Sequence, residues 1–194
     1  AHVLSDVGNH AEAARLNRSV MTAQESVLGR DHPNTVGRRH ALAISLYELG
    51  RLAEAEVLLD EVLGIYEARQ APNHPMTVHA RVRLAYVRRD RGDLSTARTL
   101  LEDSLEHLQE GAGGDQRQMI RVLHALAEVS RRLGDLARAE RLGSEAVDSV
   151  HEVFADDPGF ISEVLSAHAE TLAALGRMAE AKTLRAQASA PSKP

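Results

Sequence analysis

Five glycines stand 42 residues apart along this chain: Gly8, Gly50, Gly92, Gly134 and Gly176. An alanine follows each by five residues (Ala13, Ala55, Ala97, Ala139, Ala181) and a leucine by eight (Leu16, Leu58, Leu100, Leu142, Leu184). Seven residues before the last four glycines comes a further alanine: Ala43, Ala85, Ala127 and Ala169. A fixed period of this length marks an array of small supersecondary units, each too small to bury its own apolar face. The best-kept stretch is Leu49–Leu59, LGRLAEAEVLL.

Around each glycine the apolar residues recur at helical spacing. Before Gly50 these are Val36, Leu42, Ala43, Leu46 and Leu49; after it, Leu52, Ala55, Leu58, Leu59, Val62, Leu63 and Tyr66. No stretch of useful length alternates with period two. Glycine takes a left-handed helix cap at low cost, so Gly50-Arg51 is predicted to be the turn of a helix hairpin. Alanines at 43 and 55 add no bulk, which lets the two helices cross closely. Between units, Asp31, Asn73, Asp115 and Asp157 share a column suited to capping the next helix. In two units that residue is followed by His32-Pro33 or His74-Pro75, with the proline fit for a first helical turn.

The chain is expected to divide into a partial first repeat over 1–30, repeats over about 31–72, 73–114, 115–156 and 157–188, and a polar tail over 189–194. Residues 1–188 thus form one array of about four and a half units, with Ala1–Val7 as half of a first helix. The first residue is Ala1 and the first unit lacks most of its first half, so the sequence reads as a piece of a longer protein.

The net charge of −5 gives no global attraction to nucleic acid or acidic lipid. There is no cysteine, hence no disulfide frame and no thiolate zinc site. No apolar run reaches membrane-spanning length and no signal peptide is visible, so a cytoplasmic location is expected. The glycine-rich link Gly111–Gly114 lacks both a preceding strand and a following Lys-Ser/Thr, so it does not read as a phosphate loop.

The paired helices and the Gly, Ala and Leu columns resemble the tetratricopeptide repeat. The 42-residue period, LGRDHPNT (Leu28–Thr35) and ALAISLYELGRLAEAEVLL (Ala41–Leu59) resemble its longer, kinesin-light-chain-like form, which is widespread in bacterial multidomain proteins. The resemblance spans nearly the whole chain. It implies an all-α, right-handed superhelical solenoid of antiparallel helix pairs. It also implies a non-catalytic scaffold that binds a peptide or partner domain on a concave surface lined by the first helix of each pair. In actinobacterial regulators such repeats often follow a nucleotide-binding switch domain, which implies a sensor or regulatory role within a larger protein. Kinesin light chains usually carry a backbone-clamping asparagine nine residues before the repeat glycine. Here that column reads Ala41, Arg83, Ala125 and Ala167. The Lys/Asn/Arg carboxylate clamp of chaperone-binding repeats is also absent. Neither familiar ligand transfers.

The first helix of each pair divides into two faces. Columns 8, 7 and 1 residues before the glycine form the apolar, packing face. Columns 13, 10, 9, 6, 3 and 2 before it fall on one opposite stripe. That stripe nominates His40, Ile44, Tyr47, His79, Arg83, Tyr86, Arg89, Arg121, His124, Glu128, Arg131 and Arg132 as partner-binding residues. Arginine pairs bidentately with carboxylates and stacks on rings, and tyrosine gives rigid contact area, so the stripe suits an acidic or mixed peptide. On this reading Arg83, Arg89, Arg121 and Arg131 anchor carboxylates while Tyr47, Tyr86 and Ile44 take apolar side chains. The alternative is a solvated face in which Glu48, Asp90 and Glu128 neutralise the arginines.

The partner is expected to be a protein or peptide, another domain of the same parent, or a second copy of the chain. Nucleic acid and membrane are not expected. No catalytic residue, metal site or cofactor is assigned. His124–Glu128 and His107–Glu110 are helix-surface pairs without a third ligand in sequence. His168 stands in a column otherwise filled by Leu42, Leu84 and Leu126 and reads as structural, as do His32 and His74. The sequon Asn17-Arg18-Ser19 lies within a predicted helix.

Overall fold

The computed structural model describes residues 9–70, 72–110 and 115–189. The expectations for Ala1–Val7, Gly8, the Gly111–Gly114 link and the tail beyond Ser189 fall outside them. All regular structure among the described residues is helical: α1 (His10–Leu28), α2 (Pro33–Glu48), α3 (Leu52–Arg69), α4 (Pro75–Asp90), α5 (Leu94–Glu110), α6 (Gln116–Arg132), α7 (Leu136–Val153), α8 (Pro158–Ala174) and α9 (Met178–Ala188). They fall into two compact units, Ala1–Asp93 with α1–α4 and Leu94–Pro194 with α5–α9. Within each unit consecutive helices pack together, and the first helices of neighbouring pairs also touch, α2 on α4 and α6 on α8.

Each first helix ends in the same turn. Gly50 adopts φ 70°, and Gly92, Gly134 and Gly176 are also left-handed. The Gly50 amide donates to the Tyr47 carbonyl at 2.8 Å, and the Arg51 amide reaches back to the Leu46 carbonyl at 2.9 Å. That pair of bonds is the Schellman arrangement, which needs a residue without Cβ at the left-handed position. Beyond the turn the chain reverses, and the crossing is closed by alanine. Ala13, Ala55, Ala97, Ala139 and Ala181 have no exposed surface, nor do Ala43, Ala85 and Ala169.

The column just before the glycine does not pack as expected. Leu49, Leu133 and Leu175 are 38%, 41% and 39% exposed. Each is the C-cap residue, half out of the helix, so its side chain leaves the apolar stripe.

The helix starts also correct one expectation. Asp115 and Asp157 cap α6 and α8 by accepting backbone amides. In the two His-Pro units, however, the cap is the histidine: His32 Nδ1 accepts from Asn34 N and His74 Nδ1 from Met76 N, each at 3.2 Å. Proline at the first helical position pushes the residue before it to extended backbone, which is the cap conformation. His32 and His74 accordingly have ψ 139° and 135°. Asp31 is left to receive Arg69, through both its carbonyl and its carboxylate.

The same two units share a buried arginine clasp. Arg39, 1% exposed, pairs with Glu25 and Glu61 and donates to the Arg30 carbonyl. Arg81 donates to Glu67 through Nε and Nη2, at 3.0 and 2.7 Å, and to the Pro72 carbonyl at 3.2 Å. Arg39, Glu25 and Arg30 lie 42 positions before Arg81, Glu67 and Pro72. In the later units the arginine column becomes Leu123 and Leu165, both buried, and the glutamate column becomes Gln109 and His151. A buried guanidinium is tolerated only when its donors are met, so arginine and glutamate are kept or lost together.

A second compensated substitution lies between α7 and α8. His168 fills the column of Leu42, Leu84 and Leu126 and is buried, with its Nδ1 lacking a hydrogen-bond partner. Opposite it, Gly143 occupies the column of Asn17, Leu59 and Leu101. A Cβ added at Gly143 would fall inside contact distance of His168 Nδ1 and 3.2 Å from its Cε1. The ring fits because the facing side chain is gone. Gly143→Ala is therefore expected to destabilise the protein by about 1–3 kcal/mol through overpacking. In a His168→Ala background the same change is expected to stabilise by up to about 1 kcal/mol, the helix-propensity gain of alanine over glycine. Urea unfolding of the four variants reads this reversal of sign; equal effects in both backgrounds would refute the wedge.

Candidate partner-binding faces

In the first unit the nominated stripe lies on α2 and α4, which pack side by side. Its side chains form two clusters. One joins the C-terminal ends of the two helices. The Tyr47 hydroxyl donates to Asp90 Oδ2 at 2.7 Å, and Arg89 Nη2 donates to the Tyr47 oxygen at 3.1 Å. Arg89 also holds Asp90 through Nε at 2.8 Å and lies 4.6 Å over the Tyr86 ring. Arg89 is buried in this network. Burial, and then the bond to Asp90, push the Tyr47 hydroxyl up to about 12.

The other cluster is built on imidazoles. The His40 and His79 rings stand 4.9 Å apart, and His40 meets Tyr66 edge-on at 6.2 Å. Arg83 donates its Nε–H to His79 Nε2 at 3.3 Å. His40 is 3% exposed and its Nε2 has no hydrogen-bond partner. Burial, and then the nearby Arg83 charge, hold His40 down to about 4. Ile44, Tyr47, His79, Arg83 and Tyr86 are half-buried, neither core nor freely solvated.

In the second unit the stripe lies on α6 and α8. His124 is 2% exposed, with Nε2 3.3 Å from Glu163 and 4.0 Å from Glu128. Its ring meets Phe160 edge-on at 5.7 Å. Arg131 pairs with Glu170 at 2.8 Å. Arg121 lies over both Phe160 and Phe154, at 4.7 and 5.0 Å, and Arg132 is exposed. Arg117, not nominated from the sequence, stacks on Phe154 at 4.8 Å and pairs with Asp156.

The twelve nominated residues thus divide. His40, His124 and Arg89 are buried and support the face from beneath. Ile44, Tyr47, His79, Arg83, Tyr86, Arg121, Glu128 and Arg131 are half-buried, and Arg132 is exposed. Asp90 does neutralise Arg89, and Glu170 neutralises Arg131. Phe154 and Phe160 escaped nomination because they flank the Asp157 junction rather than sit in the stripe. Being the chain's only two phenylalanines was the available signal. No group of three or more His, Asp or Glu able to hold a metal occurs among the described residues. Asn17, the sequon residue, is buried on α1. No helix among the described residues is long and apolar enough to cross a membrane.

Helix pairs turned at left-handed glycines and crossed at buried alanines define a helical-repeat protein. The model of the tetratricopeptide repeat family matches residues 1–68 and 76–150, more than half of the chain, and the chain belongs to that family. Among solved structures, a putative kinesin light chain from Podosopora anserina with nearly identical TPR-like repeats is 22% identical, over 96% of this chain and 88% of its own, at TM-score 0.75. BtubC (BKLC) from P. vanneervenii is 18% identical over 96% of this chain and 74% of its own, at TM-score 0.73. MamA is 16% identical over 95% and 90%, at TM-score 0.56. At these identities the likeness is one of fold. No curated protein matches the chain.

The neutral, buried His40 makes the first unit sensitive to acid. Its folded affinity for protons lies below the ordinary value of 6.5, so the unfolded chain takes up the proton first. The stability that follows is complete above pH 6.5 and is lost as pH falls toward 4. The loss is expected to be about 3 kcal/mol. His40→Val, which installs the residue found at Val82 in the same column, is expected to flatten that part of the pH profile. Urea titrations at each pH measure it, and an unchanged slope in the variant would contradict the assignment.

Proposed function

We propose that this chain is a non-catalytic protein-interaction scaffold, the sensor or regulatory part of a larger protein. It takes a peptide or partner segment on the first-helix face of its repeats. Family membership supports an interaction role in general. The observation that carries the finer reading is the state of the α2/α4 face. Ile44, Tyr47 and Tyr86 are half-buried there, with Tyr47 tied across to α4 through Asp90 and Arg89. A merely solvated helix face would carry mobile charged side chains. Rigid aromatic groups bridged between two helices give contact area at low entropy cost.

Peptides selected from a displayed library against the whole chain test this reading. Ile44→Asp and Tyr86→Ala are each expected to weaken binding at least tenfold, about 1.4 kcal/mol, measured at a temperature where circular dichroism shows each variant folded. Val57→Asp, on the exposed side of α3, is expected to leave affinity unchanged. If Val57→Asp weakens binding and the other two do not, the face assignment is wrong. Sedimentation over a wide range of concentrations separates the alternative, self-association, for which a mass that rises with concentration is required.

A further inference from the structure

We infer that α1 is a releasable helix: it undocks from α2 as one unit while α2, α3 and α4 stay folded. Its junction with α2 differs in kind from the others. On the second helix of each pair, Asn17 shares a column with Leu59, Leu101 and Gly143, and Gln24 with Tyr66, Leu108 and Val150. On the first helix of the next pair, Arg38 shares a column with Ala80, Val122 and Val164, and Ser45 with Val87, Val129 and Thr171. The α3/α4 and α5/α6 junctions are apolar or aromatic at all four columns, and every one of those residues is buried. The α7/α8 junction departs at Gly143 and Thr171 but keeps Val150 and Val164 buried. The α1/α2 junction is polar at all four.

What stands in for the apolar contacts is weak. Asn17 donates through Nδ2 to Ser45 Oγ and accepts from Arg38 Nη1, each at 3.5 Å, the far edge of hydrogen-bond distance. Gln24 Oε1 is buried without a hydrogen-bond partner. Buried polar groups with poor partners or none cost stability. Of the 19 residues of α1, Ala13, Ala14 and Asn17 are buried, while Val20 and Val27 stand exposed. Little apolar area therefore holds the helix in place. Glu25 ties α1 to the buried Arg39, but Arg39 has a second carboxylate in Glu61 of α3. Release of α1 thus leaves Arg39 paired, where a lone buried charge would forbid it. The Arg18–Glu54 pair is exposed and adds little. A helix of this length is marginal in water by itself, so α1 undocks and unwinds together. Docked, it covers the side of α2 that carries Arg38 and Ser45; released, it opens that side.

Native-state hydrogen exchange of the whole chain, read residue by residue over a series of low urea concentrations, tests the release. The amides in the central turns of α1 are expected to share one opening constant, at least about a hundredfold larger than that of α2 to α4. That opening is also expected to depend more weakly on urea, since less surface is exposed. The triple variant Asn17→Leu, Arg38→Ala, Ser45→Val installs the residues of the α3/α4 junction. It is expected to lower the α1 opening constant at least about tenfold. Asn17→Leu alone is expected to lower it about threefold, which keeps the test open if the triple variant does not fold. A single opening constant shared by α1 and α2 to α4 in wild type would overturn the inference. So would protection that rises smoothly from His10 to Leu28, which is fraying from one end. An opening constant for α1 that is unchanged or raised in the folded variants would overturn it as well.

Discussion

The helix pairs of these units share one constraint, columns of buried alanine on both helices. Two helices joined by a three-residue link lie close, and closeness is permitted where both contribute alanine. Ala43 and Ala55 in one pair, and Ala127 and Ala139 in another, are buried at that point. The left-handed glycine makes the turn tight enough for the alanines to meet, and the alanines keep the pair from splaying once turned. The larger apolar residues are buried around these crossings. Val36, Leu46, Leu59 and Val62 are all 1% exposed or less. Burying such side chains contributes roughly 1.5–3 kcal/mol each, and within each unit consecutive helices pack on one another.

With the crossing fixed, the junctions between pairs can vary, and two solutions coexist. In one, a proline-directed histidine caps the helix while a buried arginine ties the preceding loop to glutamate. In the other, aspartate caps the helix and leucine replaces the arginine. The first solution satisfies more polar groups at greater desolvation cost. The second is simply apolar. Each is self-consistent, and a mixed junction would leave a buried charge unpaired, which costs several kcal/mol. That is why Arg39 and Glu25 have counterparts at 81 and 67 and why neither persists in the later units.

Much of this was legible in the sequence because a repeat reports its own register. The glycine turns, the buried alanines and the helical stripes follow from columns 42 residues apart. What the columns do not contain is the partner of each side chain across helices. Leu49 looks like core by spacing, yet the helix has already ended at Glu48 and the side chain turns outward. Asp31 looks like a cap, but Pro33 moves that role one residue on. Arg89 and Arg131 look like free charges on a groove, and Asp90 and Glu170 claim them. His168 looks like an intrusion among leucines until Gly143 is seen opposite it. His168 was read as structural and is buried; the arginine pairings are contacts between side chains, which a one-dimensional pattern records only when both members change together.

The division between invariant and variable columns therefore carries the functional argument further than any one residue. Gly, Ala and Leu recur because turn and crossing leave no alternative, so their repetition says nothing about recognition. In the proposed function, the partner is read by the stripe that the crossing does not use. On that stripe most charges are cancelled within the protein, which lowers its value as a general acidic-ligand surface. Beside these pairs, Ile44, Tyr47 and Tyr86 are half-buried on the same face. On the proposed face, ion pairs such as Arg89–Asp90 and Arg131–Glu170 narrow what is accepted, because a carboxylate placed where the donors are already engaged loses hydration without compensation.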